Sequence, residues 1–336
     1  MTDMTDTRLT PLAASLPSTV PFVGPEAQER SRGAPFKARL GANESVFGPS
    51  PRAIAAMADA DHWAYGDPEN HALRNALGTY HGIDPSHIMV GEGIDGLLGY
   101  LVRLFVAPGD AVVTSLGAYP TFNYHVAGFG GILHTVPYVD DHEDPESLFS
   151  KAAKVEARLV YLANPDNPMG TAPQIDPSDP RVIRMRTFSK AYGMAGARVG
   201  YAIGPVPVID AFNKVRNHFG MNRSAQAGAV AALADTAYHT AVLEKIARAR
   251  QRIAAIATET GLTTLPSATN FVAIDCGRDG AFAKAVLDGL IARGIFVRMP
   301  FAAPQNRCIR VSCGTPDDLD LFAAALPEAL ADARRG

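Results

Sequence analysis

The chain has 336 residues, 47% of them hydrophobic, enough to bury one large core and a second, smaller one. A formal charge of -3 offers no field for nucleic acid, and three cysteines (Cys276, Cys308, Cys313) without metal-ligand or redox spacing point to a reduced, cytoplasmic setting rather than a disulfide scaffold. Residues 1–19 lack the basic start and apolar run of a signal peptide, and no apolar run is long enough to span a bilayer, so a soluble protein is expected.

The first forty residues, rich in Pro, Gly, Ser and charge, read as an extended arm. Apolar periodicity predicts helices over 51–60 and 70–80. Residues 88–90 then read as a strand, 91–96 as a Gly-rich turn and 97–105 as a helix. Short apolar strands recur at 111–113, 159–162, 182–185 and 199–203, the rhythm of an α/β sheet. A long Ala-rich helix is expected over 225–258. The last eighty residues alternate strand (270–274), helix (280–292), strands (296–297 and 308–312) and helix (316–331), which reads as a separate α+β unit. The expected division is an arm over 1–45, a large domain over 46–258 and a small domain over 259–336.

Two stretches carry chemistry. Gly91-Glu92-Gly93-Ile94-Asp95-Gly96 follows a strand and opens a helix, where free N–H groups and the helix dipole favour an anion. With Asp110 about twenty residues on, it matches the dinucleotide fingerprint, so an NAD-dependent dehydrogenase is one reading. Against it, ninety residues precede the motif and no full βαβαβ half surrounds it. The second stretch, Arg186-Thr187-Phe188-Ser189-Lys190 followed by Ala191-Tyr192-Gly193 and Arg198-Val199-Gly200, sets one lysine among hydroxyls, glycines and a second cation. Such an amine loses its proton readily and in neutral form attacks an aldehyde. Thr187, Ser189 and Arg198 are suited to gripping an anion beside it.

This lysine stretch resembles the cofactor-lysine signature of the fold type I pyridoxal-phosphate aminotransferases, in particular their histidinol-phosphate aminotransferase-like branch. Ala42-Asn43-Glu44-Ser45, Tyr65-Gly66-Asp67-Pro68, Gly91 to Gly96, Pro120-Thr121-Phe122, Asn164-Pro165-Asp166-Asn167-Pro168-Met169-Gly170 and Ile309-Arg310-Val311 fall in the family's order. The resemblance implies an α/β fold with a mostly parallel central sheet in the large domain and a smaller α+β domain, and pyridoxal 5'-phosphate as cofactor. It makes Lys190 the cofactor anchor and general base. Gly93, Ile94 and Asp95 are the backbone donors to the cofactor phosphate, with Thr187, Ser189 and Arg198 across from them and Tyr65 reaching the neighbouring subunit's phosphate in a homodimer. Phe122, with Tyr119 as second candidate, stacks on the ring. Asn167 meets the phenolic oxygen or serves only the Pro-fixed turn in which it lies. Arg310 forks a substrate carboxylate, Arg298 holds a substrate phosphate or is a solvated strand-end charge, and Asn43 edges the pocket. Phe22 stands where histidinol-phosphate relatives commonly carry a tyrosine, which favours an aromatic amino donor, whereas Arg298 favours a phosphorylated one. The implied activity is transfer of an amino group from such a donor to a 2-oxo acid such as 2-oxoglutarate. A fold-type-I module without turnover is the third reading, opposed by the joint presence of Lys190, Asn167, Arg198 and Arg310.

One departure stands out. Beyond Gly170 the family continues through a helix and a buried strand whose Asp pairs with the pyridine nitrogen and whose Tyr meets the phenolic oxygen. Here 171–180 is a Pro-rich run that reaches the next strand directly, and a proline-broken loop supplies neither a crossover helix nor a strand. Asp176 and Asp179, in that loop, are poor substitutes. The flanking strands must then pair directly or leave a gap, and either arrangement is expected to shift Lys190 by about one strand spacing, ~4.8 Å. Residues omitted near Gly170 are the expected explanation.

Overall fold

The computed structural model describes residues 8–18, 23–172 and 179–335. The arm is not wholly extended: it forms short helices α1 (Pro11–Ser15) and α2 (Pro25–Arg32), each started by a proline at its first turn, where the missing N–H costs nothing. Strand β1 (Ala38–Arg39) follows, then α3 (Pro51–Ala58), capped by the Ser50 hydroxyl, and α4 (His71–His81), closed by Gly82 in the left-handed region.

The large half holds two three-stranded sheets. In one, β2 (Ile88–Gly91), β7 (Gly200–Ile203) and β6 (Arg184–Thr187) lie in the order β2-β7-β6, with β7 antiparallel to both neighbours. In the other, β3 (Ala111–Ser115) is flanked by β4 (Ile132–Val136) and β5 (Leu159–Val160), all parallel. No ladder joins β5 to β6 among the described residues. Helix α5 (Gly93–Phe105) holds the halves together: its Leu98 and Val102 share one apolar cluster with Val112, Leu159 and Tyr161 of one sheet and Met185 of the other. Helices α6 (Thr121–Gly128) and α7 (Pro145–Lys154) complete the β3 side, and α8 (Val206–Ala211) lies beyond β7.

The single helix expected over 225–258 is two. α9 (Arg223–Ala234) stops at Asp235, which leaves helical backbone (ψ 64°) and whose carboxylate accepts the Tyr238 N–H to start α10 (Thr236–Glu259). A side chain that bonds its local backbone ends one helix and begins the next within a continuous apolar pattern. α9 packs with α3 and α4 on the β2-β7 face, while α10 supplies Val242, Ile246 and Ile253 to the C-terminal core.

That core is built on β8 (Thr263–Thr264), β9 (Phe271–Asp275) and β11 (Cys308–Ser312), ordered β11-β9-β8, with α11 (Gly280–Ala292) and α12 (Pro316–Arg335) against them. β1 of the arm pairs in parallel with β10 (Ile295–Phe296), so the arm is fixed to the C-terminal unit. Phe296 and Phe322 are fully buried there, and truncating either to alanine removes about 3–5 kcal/mol.

Candidate active site

The lysine lies in the turn after β6. Gly193, at φ 68°, lets this turn settle on the arm: a Cβ there would sit 2.2 Å from the carbonyl carbon and oxygen of Gly48. Lys190 Nζ consequently reaches the Asn43 carbonyl at 2.9 Å, an oxygen that also accepts from Asn270 Nδ2 at 2.9 Å. Asn43, itself at φ 55°, is fixed by Ser312, whose hydroxyl donates to Asn43 Oδ1 (2.9 Å) and accepts from the Asn43 N–H (3.0 Å). Burial lowers the Lys190 amine to about 8, Arg310 and Arg198 add to the fall, and Glu44 and Asp95 oppose it. An amine so placed holds a useful neutral fraction near neutral pH.

The anion-binding end forms where β7 touches the start of α5. Gly200 is paired with Thr187 and is so close to α5 that a Cβ would fall 2.7 Å from Gly93 C and Ile94 N. Gly93, at φ 83°, similarly leaves room for the Arg198 guanidinium, 2.5 Å from where a Cβ would stand. Arg198 donates to the Ala195 carbonyl at 2.9 Å and faces Asp95 at 3.7 Å, a half-exposed pair worth little by itself. Ser189 is buried, and its N–H donates to Thr187 Oγ1 at 3.0 Å. Gly93, Ile94, Asp95 and Arg198 therefore meet at the first turn of α5, and Thr187 and Ser189 are tied to them through Gly200, with a cation and free helix N–H groups available to an anion.

Arg310 stands in the middle of β11. One guanidinium nitrogen donates to Asn167 Oδ1, a second to the Gly41 carbonyl at 3.0 Å, and the group lies 5.2 Å from the Phe271 ring centre. Its Nε is buried without a hydrogen-bond partner. Arg298 is its backbone neighbour: the Arg310 N–H donates to the Arg298 carbonyl at 2.6 Å and the Arg298 N–H to the Arg310 carbonyl at 3.2 Å. Burial, then the Arg298 charge, lowers Arg310 to about 10. Arg298 donates to the Val23 carbonyl at 2.6 Å and is itself held down by burial.

The remaining expected residues have contacts of their own. Phe122 is 1% exposed and stacks on Tyr161, ring centres 4.5 Å apart. Tyr119 instead feels the charges of Asp95, Arg198 and Arg310, and burial raises its hydroxyl. Tyr65 is 79% exposed, its ring 5.1 Å from that of Phe219. Phe22 and Asp176 lie outside the described residues; Asp179 is engaged with Arg181 at 2.6 Å.

Sequence reasoning missed a buried polar group behind Asn167. Asp166 accepts from Tyr138 Oη and the Met169 N–H, both at 3.0 Å, while Glu143 accepts the Ala163 N–H at 2.9 Å. Burial raises both carboxyls, and Asp166 raises Glu143 further. The Asp166–Met169 bond is a local turn device that Asn-Pro-Asp-Asn-Pro could have signalled; Glu143 had no such signal.

The model of the class I and II aminotransferase family matches residues 37–177 and 172–326. The chain belongs to the class I and II aminotransferases. It is 32% identical to a histidinol-phosphate aminotransferase of Roseiflexus castenholzii over 361 positions, covering 95% of the chain and 97% of the relative. In structure it resembles the histidinol-phosphate aminotransferase of Sinorhizobium meliloti, solved with pyridoxal-5'-phosphate: 51% identity, TM-score 0.93, and 97% and 98% of the two chains covered. A Thermus thermophilus aspartate aminotransferase, at 20% identity and TM-score 0.75, shares the fold. The architecture is that of the fold type I enzymes.

The dehydrogenase reading does not survive the topology. β2, which opens into Gly91 to Gly96, is antiparallel to β7 instead of heading a parallel βαβ unit, and Asp110 serves the Ala107 N–H at 2.9 Å and faces Arg158 at 3.6 Å. The anomaly after Gly170 takes a definite form. The family pattern is met in two pieces that join at 172–177, and the alignment to the Roseiflexus relative is longer than the chain itself. The sheet answers with a gap between β5 and β6. β6 is paired to β7, and Lys190 makes its contact to the arm at the Asn43 carbonyl.

Proposed function

We propose that this aminotransferase uses pyridoxal 5'-phosphate held covalently at Lys190, takes histidinol phosphate as amino donor and 2-oxoglutarate as acceptor, and works in the cytoplasm as a homodimer. The observation that carries the substrate is the side-by-side placement of Arg298 and Arg310. The two cations are backbone neighbours and repel, and after burial this repulsion is the next cause that holds Arg310 below its ordinary value. A phosphate on one substrate and a carboxylate on the other relieve that repulsion, Arg310 by a two-bond fork. Relatives named histidinol-phosphate aminotransferase support the same choice.

The residues present fit the cofactor at two of its ends. The Gly93 and Gly200 clearances, the α5 N–H groups and Arg198 suit its phosphate, with Thr187 and Ser189 alongside, and the Lys190 amine suits its aldehyde. When bound, the cofactor supplies an electron sink for the substrate α-carbon. Lys190, once released, carries the proton at that carbon as general base and acid. Tyr119 closes the site between its anionic and substrate ends, Asn167 orients through Arg310, and Asn43 holds the arm over Lys190. Phe122 remains the proposed ring partner, and the partner of the pyridine nitrogen is unassigned. Tyr65 contributes to the neighbouring copy's phosphate site. Residues 46–258 form the large domain and 259–336 the small one, with 1–45 as the arm.

Purified protein saturated with pyridoxal 5'-phosphate is expected to form glutamate from 2-oxoglutarate with histidinol phosphate at a higher kcat/KM than with phenylalanine or aspartate. A preference for aspartate, or cofactor uptake unchanged in Lys190→Ala, refutes the proposal.

A further inference from the structure

The turn over 138–143 clasps the segment that carries Asn167. Val139 and His142 form an antiparallel bridge, which sets Tyr138 and Glu143 across from each other. Both reach the same stretch: Tyr138 Oη donates to Asp166 Oδ1 at 3.0 Å, and Glu143 Oε2 accepts the Ala163 N–H at 2.9 Å. Asp166 is fully buried and Glu143 is 1% exposed. Like charges in one buried pocket repel strongly, so the two carboxyls carry a single negative charge and one proton between them. Hydrogen bonds decide where that proton sits. Asp166 accepts from Tyr138 and from the Met169 N–H at 3.0 Å, whereas Glu143 Oε1 is buried with no hydrogen-bond partner. A bare buried oxygen disfavours charge, so Asp166 is the carboxylate and Glu143 the acid.

The Asp166 charge is felt at the substrate end. Asn167, the next residue, accepts from Arg310. Burial raises the Asp166 carboxyl, and the Met169 N–H, Tyr138, the Asn167 N–H and the Arg310 charge pull it back. Asp166 in turn opposes the burial and the Arg298 charge that lower Arg310. Among the described residues, Tyr138 and Tyr161 also face the two carboxyls, and Asp141, further along the turn, is paired with Arg307 at 2.7 Å.

We propose that carboxylate binding at Arg310 is proton-coupled: when a substrate carboxylate takes the fork, the Asp166–Glu143 pair takes up one proton from solvent and becomes neutral. The coupling rests on the carboxylate-binding role proposed for Arg310. A carboxylate on the guanidinium cancels the field that favours a charged Asp166 and adds a like charge nearby. By linkage the effect is reciprocal. The proton favours the carboxylate, so affinity is highest at acid pH and falls as pH rises through the titration of the pair.

Calorimetric titration of the protein saturated with pyridoxal 5'-phosphate by glutarate, a dicarboxylate without the keto group, reads binding without turnover. The difference in heat between Hepes and Tris at one pH counts protons, and net uptake is expected. Over a pH series the dissociation constant is expected to rise roughly threefold to tenfold per pH unit where the pair titrates. Asp166→Asn combined with Glu143→Gln keeps both shapes and removes both charges. Uptake is then expected to vanish, and glutarate at the alkaline end to bind at least as tightly as to the unchanged enzyme. Weaker binding there marks a merely loosened site and overturns the proposal. Lys190 and Tyr119 also feel Arg310, in both proteins, so uptake that persists undiminished in the variant belongs to them and overturns it too. The unchanged enzyme alone is sufficient: no uptake, or a dissociation constant independent of pH, refutes the coupling whether or not the variant folds. Glutarate that binds without a proton leaves the proposed transamination standing, whereas glutarate that neither binds nor competes with 2-oxoglutarate removes the Arg310 assignment together with the coupling.

Discussion

Lys190 titrates at about 8 because its ammonium is buried, with the charge of Arg310 as the second cause. Against the ordinary 10.5, that raises the neutral fraction at pH 7 by about 300-fold. Competitive acetylation with acetic anhydride across a pH series, read by peptide mass spectrometry, measures this midpoint directly in cofactor-free protein. Arg310→Gln is expected to move it upward while leaving it below the ordinary value, since burial is the larger cause. The same shift fixes a stability profile. Between about 8 and 10.5 the folded chain has released a proton that the unfolded chain still holds, so stability rises with pH through that window. At pH 7 both states are protonated and the folded one bears the full cost, about 3 kcal/mol. Lys190→Met is therefore expected to stabilise the chain at pH 7 by up to that amount, less about 1–2 kcal/mol for the bond to Asn43, and the advantage is expected to shrink above pH 8. A midpoint near 10.5 in the intact protein, or an advantage that grows with pH, refutes the reasoning.

Gly193→Ala drives a Cβ into the Gly48 backbone at positive φ, so urea unfolding is expected to show a loss of about 2–4 kcal/mol, and a loss under 1 kcal/mol contradicts the packing described. Arg310→Lys keeps the charge but loses the fork to Asn167 and the Gly41 carbonyl; the KM for 2-oxoglutarate is expected to rise roughly tenfold to a hundredfold, checked by steady-state kinetics. Trp63, at 88% exposure and two residues from exposed Tyr65, is expected to lie on the face that meets the second copy, so Trp63→Asp is expected to shift sedimentation from dimer toward monomer, and an unchanged dimer removes that face from the interface. Intact mass near 35.6 kDa shows that the purified chain lacks the expected extra residues near Gly170; a larger mass supports the expectation that the sequence omits them.

Local chemistry settled much of this protein in advance. Helices with a capping Ser50, a closing Gly82 or a leading proline were legible because each signal acts within a few residues, and the strand over 308–312 was legible as a short β-branched run. Lys190, Arg198 and the turn at Gly93 could be singled out because residue type and spacing suit an amine and an anion, and the family resemblance supplied their proposed roles. Tertiary structure decided what depends on distant partners. Asp235 splits a continuous apolar pattern because its carboxylate finds the Tyr238 N–H, and Arg298 meets Arg310 only because the chain folds their segments together. Phe122 is turned onto Tyr161 and Asn167 is drawn to Arg310, contacts between residues far apart in the chain. The sequence beyond Gly170 announced that a strand had no residues to form it; that β5 and β6 share no ladder among the described residues, while α5 packs Leu98 and Val102 with residues of both sides, was decided by tertiary packing.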